Sequence, residues 1–215
     1  MKQKPEDLLR VRKLYEWEEA RRGRVQYIAG VDEAGRGPMA GPVVAAAVIL
    51  PARPEIPCIN DSKKLTARVR ERIFNSIIEN SFAFGIGIRS ARFVDESGIV
   101  PATFSAMKMA IQMLLLKGYI PGLVVVDGYP IPGLDFQQEA VIKGDSKVAS
   151  VACASIIAKV VRDRIMTEFE DLYPGYGFSA HKGYCTKQHM DLLNQKGPSP
   201  IHRRSFQPVQ DVLLA

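Results

Sequence analysis

Short unbroken apolar runs alternate along this chain with longer stretches of helical spacing. The first periodic stretch spans 6–22, where Leu8, Leu9, Val11, Leu14, Tyr15 and Trp17 punctuate charged residues and predict an amphipathic helix. Apolar runs at about 26–32 and from Val43 to Leu50, the second bracketed by Pro42 and Pro51, predict two strands. The few residues between them favour an antiparallel, hairpin-like connection. Thr66 is placed to cap a helix over roughly 66–80. Phe82 to Ile88 reads as a third strand, 102–117 as a helix stopped by Gly118, and Leu123 to Gly128 as a buried parallel strand. A short strand near 139–143 precedes a long helix over about 146–171, opened by Gly144-Asp145-Ser146 and ended by Pro174 and Gly175. A polar helix at roughly 186–195 and a short one from about Phe206 complete the pattern. A hairpin followed by helix–strand alternation predicts an α/β fold with a mixed five-stranded sheet flanked by helices. With no repeat or linker visible, residues 26–215 read as one domain and 1–25 as an N-terminal helical extension.

The 215 residues are 47% hydrophobic and 24% charged, enough for a sizeable core. The net charge of +6 favours a polyanionic partner without proving one. Three cysteines, Cys58, Cys153 and Cys185, with no Cys-x-x-Cys, argue against a disulfide framework or a zinc site. Free thiols in a reducing, cytoplasmic compartment are expected. The polar start of the chain lacks the apolar core of a signal peptide, and the run from Val43 to Leu50 is too short to cross a bilayer, so no membrane is expected.

The candidate chemistry centres on Asp32-Glu33-Ala34-Gly35-Arg36-Gly37-Pro38. Neighbouring residues of a strand face opposite sides, so both acids serve one site only if the strand ends or bulges there. The glycine-rich turn would allow that, and its amides could approach a ligand closely. Asp127 is the first polar residue after an apolar strand, where open α/β sheets bind ligands, although Asp127-Gly128 is also a plain turn signal. Asp145 precedes a long helix and could equally be its N-cap. Clustered carboxylates without a His/Cys set fit hard, oxygen-liganded Mg²⁺ or Mn²⁺ better than zinc. Packing such acids together is costly without cations. Lys63 and Lys64 could hold phosphate or simply be solvated, and Tyr184 could stack on a sugar or base or be half-buried. His181, His189 and His202 lack zinc spacing and read as structural or surface residues. The stretch 181–204 carries five Lys/Arg against one Asp and reads as a basic, phosphate-facing segment.

Gly35-Arg36-Gly37-Pro38-Met39-Ala40 also fits a permissive dinucleotide fingerprint. That motif needs a helix after the glycines. Here Pro42 and the strand-like run from Val43 follow, and two acids would repel a pyrophosphate, so the cofactor reading is rejected.

The segments GVDEAGRGPMAG (30–41), DSKKL (61–65), VDG (126–128), KGDSKVASVACASIIAKVVRD (143–163) and GYCTKQH (183–189) resemble bacterial ribonuclease HII. They occur in family order and span about 27–206. The Gly-Arg-Gly-Pro turn and the lack of a large N-terminal extension favour that family over ribonuclease HIII. The resemblance implies a ribonuclease H-like fold with a small helical C-terminal part. It implies an endonuclease that cuts the RNA strand of RNA–DNA hybrids and nicks 5′ of ribonucleotides embedded in duplex DNA, leaving 3′-hydroxyl and 5′-phosphate ends. Its carboxylates map onto Asp32, Glu33, Asp127 and Asp145, which would serve as catalytic and metal-binding residues. Its ribose-reading motif maps onto Gly35, Arg36 and Gly37, its phosphate-contacting loop onto Ser62, Lys63 and Lys64, and its substrate tyrosine onto Tyr184. Cys153 and Cys185 stand where the family often has small residues.

The mechanism expected on that basis uses two Mg²⁺ or Mn²⁺ ions among the four acids for an in-line displacement. The partners expected are RNA–DNA hybrid and ribonucleotide-containing duplex DNA, bound by a monomer. Two other classes fit less well. A silent binder of structured nucleic acid gains nothing from clustered carboxylates. A phosphohydrolase for small esters has no use for an extended basic segment.

Overall fold

The computed structural model describes residues 5–53, 55–60, 62 and 65–214. Five strands form one mixed sheet in the order β3-β2-β1-β4-β5: β1 (Ile28–Ala34), β2 (Val43–Ile49), β3 (Ala83–Arg89), β4 (Leu123–Asp127) and β5 (Gln138–Val141). β1, β2 and β3 pair antiparallel, while β4 and β5 continue the sheet in parallel from β1, matching the hairpin-then-alternation pattern.

Both faces of the sheet are covered, which is why β2 is apolar at every position and buried throughout. On one face α4 (Ile99–Leu116) packs against Val43, Ala45, Ala47, Val31 and Val126. On the other lie α1 (Pro5–Arg22), α2 (Ala67–Asn80) and the 24-residue α5 (Ala149–Leu172), against Val44, Ala46 and Val48. α5 comes so close to β1 that a Cβ at Gly30 would lie 2.3 Å from Ser150 and Val151 backbone atoms, so only glycine fits there. Thr66 caps α2 as its sequence position predicts. Three short helices, α6 (Phe178–His181), α7 (Lys187–Lys196) and α8 (Gln207–Leu214), form the C-terminal part.

Several boundaries differ from the sequence pattern for physical reasons. α3 (Ala91–Ser97) was not foreseen: its seven residues are too few to show a period, although Ser90 caps it through the Phe93 amide. Gly98 then serves as the N-cap of α4, three residues earlier than expected. In α1 only Val11, Leu14 and Tyr15 of the predicted apolar positions are buried, while Leu8 and Leu9 are exposed. A fully buried glutamate, Glu18, lies on the same inward face.

Glu18 explains how α5 begins. Val148 stands at the N-cap position of α5 and has no capping side chain. Glu18 supplies the missing acceptor from another helix: its carboxylate takes the Ser150 amide at 2.7 Å and pairs with Arg22 at 2.8 Å. A carboxylate at a helix N-terminus also meets the positive end of the helix dipole.

Candidate active site

β1 does not end at the acids, contrary to the expectation from sequence. Asp32 and Glu33 lie inside it and pair with Ala46 and Ala45 of β2. The pairing with β4 stops instead, at Val31–Val126. β1 therefore overruns its parallel neighbour, and a cleft opens where β4 gives out. Asp32 turns to the α5 face and Glu33 to the α4 face, yet both reach that opening. Asp32, Glu33, Gly35, Arg36, Gly37, Ser62, Asp127, Ser155, Lys159 and Tyr184 line one cleft of about 260 Å³. Of the sequence candidates, the cleft gathers three acids, the Gly-Arg-Gly turn, Ser62 and Tyr184. Lys63 and Lys64 lie outside the described residues.

The electrostatics follow from that crowding. Asp32 is 5% exposed, and burial holds its carboxyl well above the usual range. The negative charges of Glu33 and Asp127 push the same way, against hydrogen bonds from Ser155 and the Glu33 amide. Glu33 is also raised, again mainly by burial, with Arg36 at 3.3 Å opposing. Ser155 and Ser62 share a 3.0 Å hydrogen bond beneath Asp32.

Asp145 is not the N-cap of α5. It sits in a separate 3-10 turn, Gly144–Ser146, and α5 starts only at Ala149. The Gly144 amide donates to Asp127 Oδ1 at 2.7 Å, so this turn is tied to the cleft through the residue before Asp145. Asp145 itself is buried and does not line the cleft.

The oxygen-only donor set of mutually repelling carboxylates suits a hard divalent cation. Among the described residues, no three acidic, His or Cys side chains converge into a ready-made metal cage. A cation would have to draw Asp32, Glu33 and Asp127 closer together.

The loop 35–42 that carries the Gly-Arg-Gly turn is held by two buried arginines. Arg203 donates from Nη2 to the Gly35 carbonyl at 2.5 Å, from Nη1 to Arg36 at 2.9 Å and from Nε to Gly41 at 3.1 Å. Arg162 donates to the carbonyls of Pro42, Ala40 and Lys182. Gly35 has φ +98°, and a Cβ there would lie 2.2 Å from Arg162 Nε. Burial pushes both guanidiniums down from their ordinary range, and for Arg203 the Arg162 charge adds to it.

Tyr184 is 44% exposed, with Lys159 Nζ 5.5 Å and Arg162 Cζ 5.8 Å from its ring centre. Its backbone is fixed by buried histidines. The Ser199 amide donates to His202 Nδ1 at 2.9 Å, which leaves the His202 proton on Nε2. That proton bridges to His189 Nε2 at 3.0 Å, so His189 donates from Nδ1 to the Tyr184 carbonyl at 2.9 Å. His181 stacks on His189 at 3.9 Å and donates to the Tyr176 carbonyl. The three histidines are structural, as their spacing suggested. The basic-segment reading of 181–204 needs correction: Arg203 is fully buried, and Lys182 is bonded to Asp163 and Thr167.

Sequence reasoning missed Ser155, Lys159 and Arg162 as one group. Their spacing of four and three places them on one face of a helix whose first half is mostly apolar, a signal that was present. Buried Arg203 had no such signal, because a basic residue in a basic stretch reads as surface.

The chain matches the family model for ribonuclease HII over residues 29–209. A ribonuclease HII of Caldicellulosiruptor bescii is 51% identical over 84% of this chain and 86% of its own length. One of Geobacter sulfurreducens is 48% identical over 93% of this chain and 90% of its own. In structure, the ribonuclease H2 of Pyrococcus horikoshii superposes with a TM-score of 0.71 at 25% identity, covering 86% of this chain and 96% of that one. With the sheet order, the acid cleft and these matches in agreement, the chain belongs to the ribonuclease HII family and is an endonuclease acting on RNA in hybrids.

Proposed function

We propose that the protein cleaves the RNA strand of RNA–DNA hybrids and nicks on the 5′ side of ribonucleotides embedded in duplex DNA, leaving 3′-hydroxyl and 5′-phosphate ends. The observation that carries this reading is the shared cleft: the backbone of Gly35, Arg36 and Gly37 stands beside Asp32, Glu33 and Asp127. One group of residues can therefore read a sugar while the other addresses the adjacent phosphate.

Asp32, Glu33 and Asp127 would hold Mg²⁺ or Mn²⁺, joined by Asp145 from the neighbouring turn that the Gly144 amide ties to Asp127; the ion when bound supplies charge neutralisation at the phosphate and a more acidic water. The rest belongs to the chain. Amides of the Gly-Arg-Gly turn donate to the ribose 2′-oxygen, the group that separates RNA from DNA at one position. A site built for that oxygen discriminates against deoxyribose because its donors would be left unpaired. Arg36 screens Glu33, and Lys159 and Tyr184 face the sugar–phosphate chain from the α5 side. Phosphate contacts position the duplex without reading bases.

The test is incubation with duplexes carrying zero, one or four ribonucleotides, in Mg²⁺, Mn²⁺ or EDTA. Nicking confined to ribonucleotide positions, present with metal and absent in EDTA, supports the proposal. Cleavage of the all-DNA duplex, or cleavage that persists in EDTA, overturns it.

A further inference from the structure

We infer that Arg203 is a positioning residue for ribose recognition, acting by turning the Arg36 and Gly37 amides toward the cleft. The inference rests on the proposed reading of Gly35–Gly37 as the ribose contact and assigns what makes that contact possible.

A trans peptide plane carries its C=O and N–H in opposite directions. The Gly35 carbonyl shares a plane with the Arg36 amide, and the Arg36 carbonyl shares one with the Gly37 amide. Both carbonyls are bonded to the Arg203 guanidinium, at 2.5 and 2.9 Å. Both amides therefore point away from it. Arg203 is fully buried, while Gly35, Arg36 and Gly37 line the cleft and a Cβ at Gly37 would meet open space. Among the described residues neither amide donates to another backbone carbonyl. Two successive donors are thus left aimed at the ligand side.

The guanidinium suits this task. Its planar fork spans two consecutive carbonyls, while its Nε reaches Gly41 at the far end of the loop and its own backbone amide bonds Met39. Phe206 lies over the guanidinium at 5.0 Å and fixes its plane. A lysine would keep the positive charge but could not hold two peptide planes in a fixed orientation.

Equilibrium binding in EDTA compares a duplex bearing one ribonucleotide with the same duplex all in DNA, for wild type and Arg203→Lys. Two amide hydrogen bonds predict a wild-type preference of about tenfold or more. Arg203→Lys is expected to reduce it to about threefold or less while keeping its affinity for the all-DNA duplex. A folded Arg203→Lys protein that keeps the full preference overturns the role of Arg203 alone. A wild type without preference overturns the underlying reading as well. Should Arg203→Lys not fold, ¹H–¹⁵N spectra of the wild type decide: the Arg36 and Gly37 amides should shift downfield only with the ribonucleotide duplex. Equal shifts with both duplexes, or none, overturn the ribose reading of the turn and the inference with it.

Discussion

Acidification should undo the histidine relay behind Tyr184. His189 and His202 are buried, and burial pushes each down to about 4, helped by His181 at His189 and by both His189 and His181 at His202. Each therefore binds a proton more weakly folded than unfolded, where the ordinary value is 6.5. Their contribution to stability is complete above pH 6.5 and is lost as pH falls from there through about 4. That displacement corresponds to about 3 kcal/mol for the first imidazole protonated. The second costs more, because it sets a second positive charge beside the first across the 3.0 Å Nε2–Nε2 contact and displaces the Ser199 amide from His202 Nδ1. Asp32 and Glu33, whose raised carboxyls favour the folded state at low pH, give the opposite slope in the metal-free protein, so bulk unfolding curves mix the two. Residue-specific imidazole NMR separates them. His202 should appear as the Nε2–H tautomer and His189 as Nδ1–H at neutral pH, with midpoints near 4. Midpoints near 6.5, or the opposite tautomers, would refute the relay.

Glu18→Ala should destabilise the protein by about 3 kcal/mol or more in urea unfolding, since it leaves the Arg22 charge only the Leu50 carbonyl and orphans the α5 terminus, while Glu18→Gln, which keeps an acceptor, costs less. Gly35→Ala should cost about 2–4 kcal/mol, from positive φ and collision with Arg162, and should also impair ribonucleotide-directed nicking. Asp127→Asn keeps an oxygen for the Gly144 amide, so it should abolish cleavage while the melting temperature stays within a few degrees; retained cleavage would remove Asp127 from the catalytic set. Tyr184→Ala should slow cleavage at a single ribonucleotide with a stability change under about 1 kcal/mol, because the ring is exposed and its backbone is held by His189. Unchanged kinetics would return Tyr184 to a packing role.

The sheet was legible because its strands announce themselves. β2 and β4 are unbroken apolar runs, and the short β1–β2 connection dictates antiparallel pairing. The site was legible where it is local, as in Asp32 through Gly37. It was not legible where contacts join residues far apart in sequence. Nothing in Glu18 shows that it caps a helix 132 positions later. Nothing in Arg203 shows that its partners are carbonyls 167 and 168 positions earlier. The fate of Asp145 depended on whether α5 began at 146 or 149, a boundary set by Glu18 on a different helix. The strand boundary at the acids was misplaced for a related reason: sequence shows where one strand could stop, not where its neighbour runs out.

The loop 35–42 is wired almost wholly to the far end of the chain, through Arg162, Gly183, Ile201 and Arg203. During synthesis, Asp32, Glu33 and Asp127 all emerge before residue 203 does. A nascent or prematurely ended chain can thus carry three of its acids yet lack the frame that orients the turn beside them. If the turn reads the ribose as proposed, selectivity waits on residue 203, and shortening the chain from its C-terminal side should blur selectivity before it dismantles the sheet.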